Sequence, residues 1–453
     1  MGKITWKEIL ENSDEAIDMS NCEVDEEVRL TGNIGRDLGL NGVIFKKMIF
    51  IQSLKENNIG FKNCVFEKGF IVDFDTDING LNFWDCSFND FANFRNSKIE
   101  NFHFHNCSFQ SGFSCSEVSG TSLQLNTLKS EKLQFSFGSI SFQTCHLLGM
   151  EDASRYIFTG KYDEEISKRQ IERFSIFFNP EFTGSINLYK ISVGLLYLNG
   201  FNKSCNINLF EVIIREINCA LFTNTGYIKV TSLELQASSK LHLYESVLGM
   251  TELFNINFNL FNDIIIINSS IKDIVPINVT WCEKIKTGVE NEKVNYFQLR
   301  EIYRQLKNVM IGNNDKVEEL RFHKLEMQAY HRQLQDEKDK LEDKFIMRTN
   351  YLSNNHGLSF GRAFLWLFCL SLLIFNLNKL LLGYNSFNSS LIFTDLGNWI
   401  LSINPVRKFS DVYHQYNTSW KAGLAYFLDI FFRIIYSYLI FQFISAFRKY
   451  VKK

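Results

Sequence analysis

The chain has 453 residues, 45% hydrophobic and 22% charged, with 44 Phe, 10 Cys and 3 Pro. This excludes a disordered or collagen-like chain, and the length exceeds one ordinary core, so two or more domains are expected. A formal charge of −2 hides an asymmetry, because residues 1–150 carry −7 and residues 344–453 carry +9. The two ends are suited to different surroundings, and nucleic acid is not an expected partner.

Residues 1–40 are predicted as an amino-terminal cap, with a short helix over 1–20 covering the strand edge that follows. The first residues contain no apolar core of a secretory signal, and Trp6 stands where myristoylation needs Ser or Thr. Ile44, Ile49, Leu54 and Ile59 then fall on fives. The rhythm is carried on by Phe61, Phe66, Ile71, by Ile78, Phe83, Phe88, and by Phe94, Ile99, Phe104, Phe109. Further runs are Val118, Leu123, Leu128, Leu133 and Phe137, Phe142, Leu147. A period of five fits neither a helix of 3.6 nor a strand of 2, and marks a coiling chain.

Small residues stand two positions before many of these, among them Cys64, Cys86, Cys107 and Cys145. A large residue on each side with a small partner lets successive turns stack, and four sides give about 20 residues per turn. Asn63-Cys64-Val65-Phe66, Asp85-Cys86-Ser87-Phe88 and Asn106-Cys107-Ser108-Phe109 repeat one turn apart. Residues 41–150 are therefore read as a solenoid with Phe61, Phe66, Phe83, Phe88, Phe94, Ile99, Phe104, Phe109, Leu123, Leu128, Cys64, Cys86 and Cys107 in its core. The cysteines are expected to be buried thiols of a reducing compartment. The pattern resembles the pentapeptide-repeat family, which implies a right-handed quadrilateral β-helix; a generic β-solenoid is the alternative.

Residues 151–183 are charged, and Glu164-Glu165-Ile166-Ser167-Lys168-Arg169-Gln170-Ile171 predicts a helical insertion. Residues 184–288 carry strand patterns at uneven spacing, read as irregular solenoid or a second β unit. Over 289–356 the period is helical: Tyr296, Leu299, Tyr303, Leu306 and Met310 share one face, and Leu320, Leu325, Met327, Tyr330 and Leu334 mark a second helix. The two are expected to pack as an antiparallel pair, or as a coiled-coil contact between subunits.

Residues 357–453 are read as a membrane domain. Ala363 to Leu382 would span about 30 Å as a helix, and about 422–444 is a second apolar stretch. Between them 391–406 is apolar but too short to span, a re-entrant or interfacial segment with Asp395, Asn398, Trp399 and Pro405 as its marked residues. Lys344, Arg348 and Arg362 precede the first span, while Arg448, Lys449, Lys452 and Lys453 follow the second, which places both ends in the cytoplasm. Arg407, Lys408 and Lys421 in the loop count against that orientation. Asp429 and Arg433 lie one helical turn apart, with Ser437, Tyr426 and Tyr436 nearby, as a candidate intramembrane polar stripe. Each charge at the bilayer centre costs about 2.5–3.5 kcal/mol, so the stripe either lines a pathway or is a self-neutralising packing pair. Two helices leave no lumen, so conduction would need a homo-oligomer.

No nucleotide-binding loop, paired Cys-x-x-Cys or His-Glu-x-x-His is present, and no Ser-His-Asp or Cys-His set can be assembled. No enzyme, cofactor or metal is expected. His103 and His105 are read as outward residues of one solenoid side, and His323 and His331 as a solvated helix face. The helical segment with Phe322, Glu326 and Tyr330, the run Gly357-Leu358-Ser359-Phe360-Gly361-Arg362 and the run Ala446-Phe447-Arg448-Lys449-Tyr450 extend the likeness along the chain. The whole resembles bacterial membrane-anchored pentapeptide-repeat proteins with a carboxy-terminal two-helix, ion-channel-like region, although no potassium-filter sequence is present. The resemblance implies a multi-pass inner-membrane protein with a cytoplasmic solenoid, able to bind a protein partner or trigger. The same outline occurs in bacterial anti-phage effectors of the abortive-infection type. A tethered interaction scaffold and an ordinary regulated ion channel are the alternatives.

Overall fold

The computed structural model describes residues 2–3, 5–7, 17–32, 34, 37–130, 134–150, 154–160, 170–288, 294–336, 341–357, 359–383, 392–413 and 419–448. Leu133, residues 161–169 of the expected insertion, Leu358, and Lys449, Tyr450, Lys452 and Lys453 lie outside them. The chain forms two compact units, Met1–Asp315 and Lys316–Lys453.

The first unit is a parallel β-solenoid of about 11 turns in residues 22–277. Each strand bonds to the strand one turn on, so Phe61 pairs with Phe83 and Phe83 with Phe104, 22 and 21 residues further along. The register brings identical side chains over one another inside the coil. Phe45, Phe66, Phe88 and Phe109 form one column with ring centroids 5.4, 4.6 and 4.6 Å apart. Phe61, Phe83 and Phe104 form another, at 5.2 and 4.9 Å. Phe94, Ile99, Leu123 and Leu128 are buried with them.

The corners explain the Asn/Asp-Cys repeat. Asn63, Asp85 and Asn106 have φ of 50°, 55° and 51°, the left-handed region that Asn and Asp enter most readily, and each bends the chain at the same corner. Their side chains climb the corner as a ladder: the Asn63 amide donates to Asn41 Oδ1 at 3.0 Å and that of Asn106 to Asp85 Oδ1 at 2.6 Å. The cysteine that follows turns inward, and Cys64, Cys86 and Cys107 are buried with their thiols donating to carbonyl oxygens at 3.2, 3.3 and 3.4 Å. Burial pushes the Cys115, Cys145 and Cys219 thiols up, Cys219 to about 12, so they stay protonated and unreactive.

Three expectations are corrected. Coiling begins before residue 40, since Ile17–Val24 is a strand paired to Leu38–Phe45 and Val28–Thr31 is a strand between them. The flanks of the expected insertion are solenoid: Arg155–Thr159 and Ile171–Phe178 are strands, with Ile171, Phe174, Ile176 and Phe178 buried. Leu147 pairs with Ile176, 29 residues on, so that turn is longer but the ladder is unbroken. The expected antiparallel pair is divided between the two units. Its first helix, α1 (Tyr296–Gly312), belongs to the solenoid unit and its second, α2 (Lys316–Asp336), to the other. The apolar face of α1, with Ile302, Tyr303, Leu306 and Met310 buried, is already used. Gln305 Oε1 accepts from the Ile271 amide at 2.8 Å, and the Tyr303 hydroxyl donates to the Glu283 carbonyl at 3.0 Å. The helix thus satisfies backbone groups of the last turns that no further strand would reach. Residues 184–288, left open between solenoid and separate unit, continue the same ladder through Ser185–Tyr189 to Ile274–Ile277.

The second unit holds α2, α3 (Leu341–Asn354), α4 (Phe360–Leu381), α5 (Ile392–Ile403) and α6 (Trp420–Arg448). Two of these, Phe360–Leu381 and Trp420–Phe447, are long and apolar enough to cross a membrane.

Replacing Phe83 by Ala removes the middle ring of a column and is expected to cost about 3–5 kcal/mol, read as a large drop in the thermal unfolding temperature of the full-length protein. Phe74→Asn, at an exposed left-handed corner, should change stability by less than about 0.5 kcal/mol.

Candidate functional site

Helices α4 and α6 pack antiparallel. Phe364 near the start of α4 meets Phe443 near the end of α6 at 6.2 Å, while Phe375 further along α4 shares a cluster with Ala425, close to the start of α6. Only 28% and 22% of their apolar windows are buried, and Leu365, Leu373, Phe427, Ile434 and Phe441 are exposed. The inside, in contrast, holds polar groups beside small and apolar ones: Ser371, Asn378, Lys379, Arg407, Asp429 and Gln442 are buried together with Ala363, Ile374, Phe375 and Ala425. A water-soluble hairpin keeps its charges outside and its large apolar side chains inside; this hairpin keeps its charges inside and many large apolar side chains outside, which is the arrangement that hydrocarbon surroundings favour.

Asp429 is the centre of that interior, 3% exposed. Arg433, one turn on, donates from Nε to Asp429 Oδ2 at 2.8 Å. Arg407, from the segment after α5, donates from Nη2 to Asp429 Oδ1. Arg433 Nη1 also donates to the Arg407 carbonyl at 2.6 Å, closing a ring of three residues. One carboxylate thus holds two guanidiniums, and the group carries one excess positive charge. A second pair lies between Lys379 Nζ and Asp395 Oδ1 at 2.8 Å, tying α4 to α5. Trp399 Nε1 donates to Ser371 Oγ at 3.1 Å across the same contact.

The candidate stripe is therefore divided. Asp429 and Tyr436 are buried and Arg433 is partly so, whereas Tyr426 and Ser437 are exposed, with the Ser437 hydroxyl bonded back to the Arg433 carbonyl at 2.9 Å. The self-neutralising i, i+4 pair is formed, and it has a third member, Arg407, which helical spacing does not reveal because it lies on the connecting segment. Its signal was the need of a deep ion pair for a further neutralising or hydrogen-bonding group. In the candidate re-entrant segment, Asp395 and Trp399 face α4, Asn398 is half-buried, and Pro405 lies just past the end of α5. At 12 residues, α5 is about 18 Å long and cannot span a bilayer. Its outer face, with Phe393, Leu396 and Ile400 exposed, is apolar.

At the other end of the hairpin α3 is pinned to α6. The Tyr438 hydroxyl and the Gln442 amide both donate to Asn350 Oδ1, at 2.8 and 3.2 Å. Just beyond α3, His356 is buried with φ of 57°. Burial lowers its pKa to about 4, and His323, His331 and Lys324 of α2 act in the same direction. His323 and His331 are therefore half-buried neighbours of this histidine and not the solvated face expected of them. His103 Nε2 lies 3.2 Å from Ser122 Oγ and His105 Nδ1 3.0 Å from the Asn126 amide, within the solenoid ladder. Among the described residues no group of three or more His, Cys, Asp or Glu could hold a metal ion.

Comparison of the chain with family models, with curated proteins and with solved structures finds no match.

Asp429→Asn leaves two guanidiniums without their counter-charge and is expected to destabilise the hairpin by about 3–5 kcal/mol. Arg433→Leu should cost less, because Arg407 still neutralises Asp429; graded unfolding of the two variants in lipid discs checks the order. His356 gives a separate dependence on pH. The folded form holds it neutral down to about pH 4, while the unfolded chain takes up its proton near pH 6.5, so stability is present above that value and lost as pH falls between them. Substituting His356 by Phe should flatten the melting temperature across this window.

Proposed function

We propose that the chain is a non-enzymatic, multi-pass protein of the bacterial inner membrane that perturbs or permeabilises the bilayer when several copies assemble. Both ends lie in the cytoplasm, the solenoid receives a signal or partner, and the outcome is an abortive-infection response to phage. The observation that carries this reading is the hairpin with charges inside and Phe, Leu and Ile outside. An ion triad with one excess positive charge, enclosed by two apolar helices, is costly in hydrocarbon unless water, an anionic headgroup or another copy approaches it. One hairpin encloses no lumen, so permeation requires neighbours, and the exposed faces of α4, α5 and α6 are available to them. The long lateral surface of a solenoid suits the receiving role.

A second reading, a membrane-tethered scaffold, is favoured by the closure of the triad, because both Asp429 oxygens are taken by Arg407 and Arg433. Induced expression with a potential-sensitive dye, with and without phage, separates the two. The effector should depolarise cells and lose this on Asp429→Leu; unchanged potential in both conditions would sink it. A scaffold should keep its protective effect when residues 357–453 are replaced by an unrelated two-helix anchor.

A further inference from the structure

The solenoid changes its filling along its length. From Phe45 to Phe158 the interior is rich in rings, set among Leu, Ile, Val and Cys, and ends in the stacked pairs Phe135–Tyr156 and Phe137–Phe158 at 5.0 and 4.5 Å. Further along, the interior is mainly aliphatic. In register one turn apart come Leu196, Ile217, Leu241 and Ile264, and on another side Leu209, Val230 and Leu253. The backbone spacing between turns does not shrink to match, since it is set by the ladder at about 4.8 Å. Exchanging a ring for a branched aliphatic side chain in an unchanged bore leaves space.

That space is present as a partly open cavity of about 110 Å³ lined by these ladders, with Thr251 the only lining residue bearing a side-chain nitrogen or oxygen apart from the indole of Trp281. Its walls show it independently: Val230, Leu253, Ile274 and Ile285 retain 7–8% exposure, where Phe61, Phe83 and Phe104 of the filled part retain 0–1%. Phe258 and Trp281, stacked at 5.0 Å, and Leu306 of α1 also line it. No carboxylate, ammonium or guanidinium reaches inside. Apolar cavities of this order remain dry and take up hydrocarbon. The lining comes from four successive turns, about 19 Å at the ladder spacing, a length that suits an extended chain better than a ring.

We infer that the carboxy-terminal half of the solenoid is a binding site for a single unbranched alkyl chain, the tail of a free fatty acid or an acyl chain of a phospholipid. The charged head stays outside the aliphatic bore. Leu243, paired in register with Cys219 and Ile266, stands in the lining at mid-length, so a larger side chain there occupies the space the alkyl chain needs.

Photo-crosslinking of the full-length protein in lipid discs tests this. One arm uses palmitic acid with a diazirine at its methyl end, the other a phospholipid with the same group on one acyl chain. Saturable labelling within residues 196–285, displaced by unlabelled palmitate in the first arm or persisting in the second, supports the site and tells the two sources apart. Leu243→Trp should reduce that labelling at least tenfold while labelling of α4 and α6 is unchanged. Absence of label from residues 196–285 in both arms, or label that neither competitor nor substitution reduces, would overturn the inference. Should Leu243→Trp fail to fold, competition on the unsubstituted protein decides alone, and Leu253→Phe provides the milder filling.

Discussion

Everything in the first unit depends on one constraint: backbone hydrogen bonds between successive turns hold each residue over its counterpart one turn earlier, 21 or 22 positions back in the regular part. Interior side chains are then obliged to stack in columns, several of which repeat one residue type for three or four turns. Columns of Phe, offset or edge-on to their neighbours, meet that obligation well, because ring faces and edges attract and together exclude water. The same obligation makes Asn and Asp at one corner form a ladder and places thiols where little room remains. Closing the last turns against α1 follows too, since a parallel ladder ends in unpaired groups that must be met by something other than strand.

How much of this the sequence disclosed follows from how the ladder is written in it. Between Phe61 and Leu147 the turns are nearly equal and each side keeps one large residue, so the coil is legible by counting. After Leu147 one turn takes 29 residues, and register shifts at Leu198/Gly200 and Ile214/Glu216 break the count without breaking the pairing. Counting along a chain cannot see pairing across it. For the same reason α1 looked like half of a helical pair: its apolar face is plain in the sequence, but nothing in the sequence says that a solenoid end covers it.

The hairpin turns large apolar side chains outward and charges inward, and it was legible in outline for that reason: long apolar runs with isolated charges stand out. The ion pair of Asp429 and Arg433 was visible because helical spacing predicts it. The contacts of Arg407 with Asp429 and of Lys379 with Asp395 were not, since each joins residues 16 or more positions apart through a connecting segment. These long-range pairs fix how the hairpin is folded, and they turn what could be a polar stripe into a lock between α6, α4 and the segment containing α5.

The equal spacing of the left-handed corners has a consequence for how such a chain can change over generations. Removing 21 or 22 residues between matching corners of the regular part deletes one whole turn and leaves every remaining column continuous. Removing one residue fewer or more turns large residues outward on every side that follows. Length in this region is therefore inherited in steps of a turn, and the bore is free to lengthen by duplication while its diameter stays fixed. Variation within a turn is confined to places such as the segment between Thr159 and Ile171, where added chain leaves the ladder on both sides intact.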